Sequence, residues 1–125
     1  MSTREIPRKE WGEYFNNLSR NFKGWPVIME VYGTEIGAQF QARELPMEGV
    51  IADLKVEGKN QIAILIEESP QKHLVHTILH PLHVRVEGEN GGRERSMQIE
   101  SEDGLTTLIR FSNQQAQKTI IKGIL

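Results

Sequence analysis

The chain predicts an α+β fold: an N-terminal amphipathic helix packed on a curved antiparallel meander or partly closed β-barrel of six to seven strands. Three observations predict it. Apolar residues recur at helical spacing before Gly24, the period changes to two after Trp25, and the connections beyond are short enough for hairpins rather than crossovers. No repeat, low-complexity tract or linker divides the 125 residues, so residues 1–125 are expected to form a single domain.

The helix runs from Pro7 to about Phe22, with Pro7 suited to a first turn and Gly24 just past the end. Trp11, Tyr14, Phe15, Leu18 and Phe22 fall on one face, and an aromatic stripe of this kind needs a cover. The strands that follow supply it.

Val27, Met29 and Val31 alternate against Ile28, Glu30 and Tyr32, and Gly33–Gly37 has turn chemistry. Ala38, Phe40 and Ala42 then alternate with Gln39, Gln41 and Arg43 as a second strand. After Pro46, Val50 to Val56 reads as a third strand and Gly58 to Asn60 as its turn. Gln61 to Glu67 is a fourth with two apolar faces, the pattern of a central strand. His73 to Glu87 is one long strand or two joined at Pro81, and Glu89-Asn-Gly-Gly92 has hairpin residues. Arg95 to Ser101 turns at Glu102-Asp-Gly104 into Leu105 to Phe111. The last stretch, Ser112 to Lys122, either begins a short C-terminal helix capped by Ser112 or Asn113, or frays.

All four histidines lie between His73 and His83, at a spacing that would align His73, His76, His80 and His83 on one helical face. Pro81 would cost an interior helix about 3 kcal/mol, and the β-branched Val75, Thr77, Ile78 and Val84 favour an extended chain. In a strand His76 and His80 stand roughly 13 Å apart, whereas two zinc ligands must each reach the ion at about 2 Å. A histidine-based metal site is therefore only a remote alternative, and no metal or other cofactor is expected.

The remaining chemistry has a structural explanation at each place. Glu67, Glu68, Glu100, Glu102 and Asp103 sit where carboxylates solvate turns. Gly33–Gly37 lacks the lysine and glycine spacing of a phosphate loop, and Ser69, Ser96 and Ser101 lie in turn or strand patterns without a partnered base. No catalytic residue is assigned. A net charge of −2 and a pI near 6.1, with Arg4, Arg8, Lys9, Arg85, Arg93 and Arg95 interleaved among acids, argue against nucleic acid. The longest run from the strongly apolar set is Ile62–Ile66, too short for a membrane span. Absence of cysteine fits a reducing compartment, and with the charged N-terminal line it predicts a cytoplasmic protein.

The line Met1-Ser-Thr-Arg-Glu-Ile-Pro-Arg-Lys-Glu-Trp11, together with Glu35-Ile-Gly-Ala38, Ala42-Arg-Glu-Leu-Pro46, Ala52-Asp-Leu54 and Leu108-Ile-Arg-Phe111, resembles a small family of bacterial domains of unknown function. The resemblance runs through nearly the whole chain and implies a common fold. It brings no activity, cofactor or catalytic residue, and it does not include His80 or His83.

Two functional classes follow. The first is a non-catalytic interaction or accessory domain, with a protein partner or homo-oligomer formed through a strand edge or through Trp11, Tyr14, Phe15 and Leu18. The alternative is a small-molecule or lipid binder, with or without enzymatic activity, using a cavity lined by Phe40, Ile64, His76 and Ile109.

Overall fold

The computed structural model describes residues 2–54, 60–88 and 94–112. In chain order these form β1 (Ser2–Glu5), a 3₁₀ turn (Arg8–Glu10), α1 (Trp11–Phe22), β2 (Pro26–Gly33), β3 (Gly37–Asp53), β4 (Gln61–Ser69), β5 (Lys72–Leu79), β6 (Pro81–Gly88), β7 (Glu94–Ser101) and β8 (Thr106–Phe111). The strands make one antiparallel sheet of eight in the order β1-β6-β7-β8-β2-β3-β4-β5, which is not closed, and it curves enough to bring His76 of β5 within 3.2 Å of Thr107 of β8, four places away.

The helix ends where expected and starts one turn later than a continuous α-helix from Pro7 would. Pro7 instead opens the 3₁₀ turn, accepting from Glu10 N–H at 2.8 Å. Gly24, at φ +84°, adopts the left-handed backbone that ends the helix, and its N–H donates to Met47 O at 2.8 Å. Ser19 fixes the other contact with β3: its Oγ accepts from Val50 N–H at 2.9 Å and donates to Val50 O at 3.2 Å. The approach is close enough that a Cβ on Gly49 would meet Ser19 Oγ at 3.4 Å.

The core lies between the helix stripe and the inner face of the curved sheet. One inner row runs Val86–Met97–Ile109–Met29 across β6, β7, β8 and β2, and Ile62, Ile64 and Ile66 of β4 close the other side, all buried. Phe22 stacks on Phe111 at 4.4 Å between ring centroids and meets Trp25 edge-on at 4.8 Å. The buried Trp11 indole donates to Ile6 O at 2.8 Å, which satisfies its only polar group.

Three features correct the expected topology. The strand count among the described residues is eight, not six to seven, because Ser2–Glu5 forms β1 beside β6. The order is not a simple meander, since β8 returns to pair with β2. Pro46 does not separate two strands: β3 runs for 17 residues, pairing with β2 before the bend and with β4 after it. Glu44 at φ 55° and the register shift between Met47 and Gly49 bend the strand there, and Pro46 sits opposite Pro26, where neither has an N–H to offer.

The segment from His73 to Glu87 is two strands, parted at His80, whose φ of 51° turns the chain. The Glu102–Gly104 hairpin forms as expected. The expected C-terminal helix beyond Ser112, the Glu89–Gly92 turn, and the end of the third strand with most of its turn lie outside the described residues.

Candidate functional site

The four imidazoles go to four different environments. His73 Nδ1 lies 2.6 Å from Glu48 Oε1 on the surface, and this carboxylate raises the imidazole pKa by hydrogen bond and charge. His83 Nδ1 lies 3.0 Å from Glu5 on β1, and His80 occupies the corner between β5 and β6. Only His76 points inward, where its Nε2 stands 3.2 Å from Thr107 Oγ1 and burial lowers its pKa. Among the described residues no group of three or more histidines and carboxylates is placed to hold a metal ion.

His76 and Thr107 border a pocket of about 160 Å³ at the mouth of the curved sheet, between β5 and the β7–β8 turn. Ser101 and Asp103 lie on its rim, but both are committed to that turn. Ser101 Oγ donates to Asp103 Oδ1 at 2.5 Å, and Leu105 N–H donates to the same oxygen at 3.0 Å, which together hold the Asp103 carboxyl below its ordinary pKa. A serine and an aspartate in contact here staple a hairpin, and the histidine is bonded to a threonine instead.

Of the other residues expected around a cavity, Ile64 is the direct cross-strand neighbour of His76, but none of Phe40, Ile64 and Ile109 lines this pocket. Ile64 and Ile109 are buried in filled core, while Phe40 is 45% exposed on the outer face, with the Arg43 guanidinium 3.7 Å from its ring centroid. The helix stripe expected as a partner surface lies in the core as well: Trp11, Phe15 and Leu18 are buried. Tyr14 is half-buried, its hydroxyl donates to Glu94 Oε1 at 3.3 Å, and burial beside that carboxylate raises its pKa.

The surface that sequence reasoning missed is the outer face of β3, β4 and β5. Direct cross-strand neighbours make a row of Ile51, Ala63 and Thr77 and a row of Gly49, Leu65 and Val75, with Leu79 beside Gln61 in the next. Ile51, Val75 and Leu79 are 57, 55 and 54% exposed. Ile51 and Leu65 continue into a groove of about 440 Å³ whose other wall is the Asn16, Ser19 and Arg20 side of α1. The signal was the doubly apolar pattern of Ile62–Ile66. It was expected to mark a central strand; β4 has neighbours on both edges but stands second from the end of the sheet, and among the described residues its Ile62, Ile64 and Ile66 face is the buried one.

The two ends of the sheet differ. At the β1 end, Glu5 binds His83 at 3.0 Å and Arg85 at 3.5 Å, and Arg85 reaches Glu100 at 3.2 Å, so a charged network dresses a four-residue strand. At the β5 end, His80 N–H donates to Asn60 O at 2.9 Å. Alternation in an antiparallel ladder then directs the backbone groups of Leu74, His76 and Ile78 toward β4, and those of His73, Val75, Thr77 and Leu79 toward the open side, where no strand among the described residues pairs with them.

No solved structure matches the chain. It is similar to an uncharacterized protein of Aquifex aeolicus (strain VF5), 29% identical over 111 residues that cover 89% of this chain and 93% of that protein. No helix among the described residues is long and apolar enough to cross a membrane. The family model described as "Family of unknown function (DUF5335)" matches residues 2–120, the same near-complete span over which the N-terminal line and the Leu108–Phe111 ending carry their resemblance, and the chain belongs to that family.

Proposed function

We propose that the chain is a non-catalytic interaction module that docks a partner protein on the outer face of β3, β4 and β5. The observation that carries this reading is the apolar surface joining Ile51, Leu65, Val75 and Leu79 to the groove beside α1, since large apolar side chains on adjacent strands gain most when a partner removes them from water. The mouth pocket supports a small-ligand site less well: at about 160 Å³ it holds roughly half the volume, about 300 Å³, at which drug-sized pockets begin. Interleaved charge and a pI near 6.1 favour protein over nucleic acid as the partner, and a cysteine-free composition is compatible with the cytoplasm.

The test is in-cell photocrosslinking. A photoreactive amino acid at Ile51 or Val75 should give discrete adducts, and one at Glu13, exposed on α1, should give none. Absence of adducts from both face positions would overturn the reading.

A further inference from the structure

We infer that β5 pairs antiparallel with β5 of a second copy of this chain, about a two-fold axis at Val75. The pairing runs along the edge of β5, beside the docking face proposed above, and leaves the outer side chains of that face uncovered.

Sheet edges in folded proteins are dressed against pairing by shortness, charge, proline or bulges. The β1 end has the first two. Strand β5 is eight residues long, and between His73 and Leu79 it has no Asp, Glu, Lys, Arg, Pro or Gly; its register shift against β4 falls outside that stretch, between Glu67 and Ser69. His73, Val75 and Thr77 turn their N–H and C=O groups to the open side, so a strand added there finds a ready ladder.

The register follows from what crowds the far end. Glu102 N–H donates to His80 O at 3.0 Å, and the β7–β8 turn shares the mouth pocket with Leu79 and Thr77, so Thr77 is the last residue a pairing strand reaches. The usable seam therefore runs from His73 to Thr77 and centres on Val75. A two-fold axis there sets Val75 against Val75 of the other copy and His73 against its Thr77, both as hydrogen-bonded pairs.

Charge and shape favour a second copy as the occupant. No carboxylate in the seam faces another, so two chains of net charge −2 do not repel across it. The apolar row through Gly49, Leu65 and Val75 continues into Val75 and Leu65 of the other copy, which makes one stripe across six strands. The incoming strand is already extended and rigid, whereas a disordered peptide would lose conformational entropy on ordering. A seam of this width lies at the small end of interfaces, so the dimer should depend on concentration.

Sedimentation velocity on the full chain should show a mass rising from 14.3 kDa toward twice that value as concentration increases. Thr77→Pro removes an open-side N–H and no bond to β4, and Val75→Lys charges the axis; each should abolish the dimer with the circular dichroism spectrum retained. Hydrogen exchange gives a check independent of both variants. The Val75 and Thr77 amides should slow about tenfold when the dimer dominates, while the amides facing β4 stay unchanged.

A monomer at every concentration would overturn the pairing, as would a dimer that survives both substitutions or leaves those two amides unprotected. Crosslinks from Ile51 to a protein of another mass, with the purified chain monomeric, would discard the second copy and leave the docking face standing. Absence of crosslinks with a concentration-dependent dimer would do the reverse.

Discussion

His76 and Thr107 belong to strands that share no backbone ladder, yet Nε2 and Oγ1 stand 3.2 Å apart across the mouth of the sheet. This contact ties the β5 end of the curved sheet to β8, and it works with a neutral imidazole because burial disfavours the charged form. In the unfolded chain the ring titrates near its ordinary value of about 6.5. Between that value and the lower folded one the unfolded state binds more protons, so stability falls as pH falls through this window. Urea unfolding at pH 7.5 and about 5.5 should show the loss, and His76→Gln should reduce it. His73 works in the opposite sense: its raised pKa contributes stability below about 6.5 that fades as pH rises through the folded value, and Glu48→Gln should remove that part.

Phe15 and Phe40 separate the core from the surface among the aromatic residues. Phe15→Ala should cost about 3–5 kcal/mol of unfolding free energy, since it leaves a cavity under α1. Phe40→Ala, at an exposed position, should cost under about 1 kcal/mol. Equal losses would contradict the burial described for the helix stripe.

Gly24 holds a left-handed backbone with open space around its Cα, so strain alone opposes a side chain there. Gly24→Ala should lower stability by about 1–2 kcal/mol, and Gly24→Asn by less, because asparagine tolerates that region. Thermal unfolding of the pair would show the ranking.

The turn between β7 and β8 depends on one carboxylate oxygen that serves both Ser101 and Leu105. Asp103→Ala should destabilise by about 1 kcal/mol and loosen the hairpin amides in hydrogen exchange, while leaving the β3–β4–β5 amides unaffected.

Local patterns carried the helix and the last hairpin. Trp11, Phe15, Leu18 and Phe22 repeat at helical spacing, and Glu102-Asp-Gly104 supplies its own turn chemistry, so neither needs distant residues to define it. Strand β1 carries no such pattern: Ser2-Thr-Arg-Glu5 has no apolar alternation, and it is extended because β6 offers it a ladder. Pro46 misled for a related reason, since a proline breaks a ladder only where its N–H is required, and the bend of β3 is not such a place. The outer face escaped notice because Ile51, Leu65 and Val75 come from three strands and meet only once the register is set. His76 was legible as a residue of the sheet interior, but its partner Thr107 lies 31 residues away and nothing local announces it.

A single residue, His80, joins β5 to β6. That linker leaves no slack: an outward pull on the docking strand is felt at once by Pro81 and by the ladder that β6 shares with β1 and β7. Lengthening the corner by a few glycines would uncouple the two ends of the sheet without touching either surface.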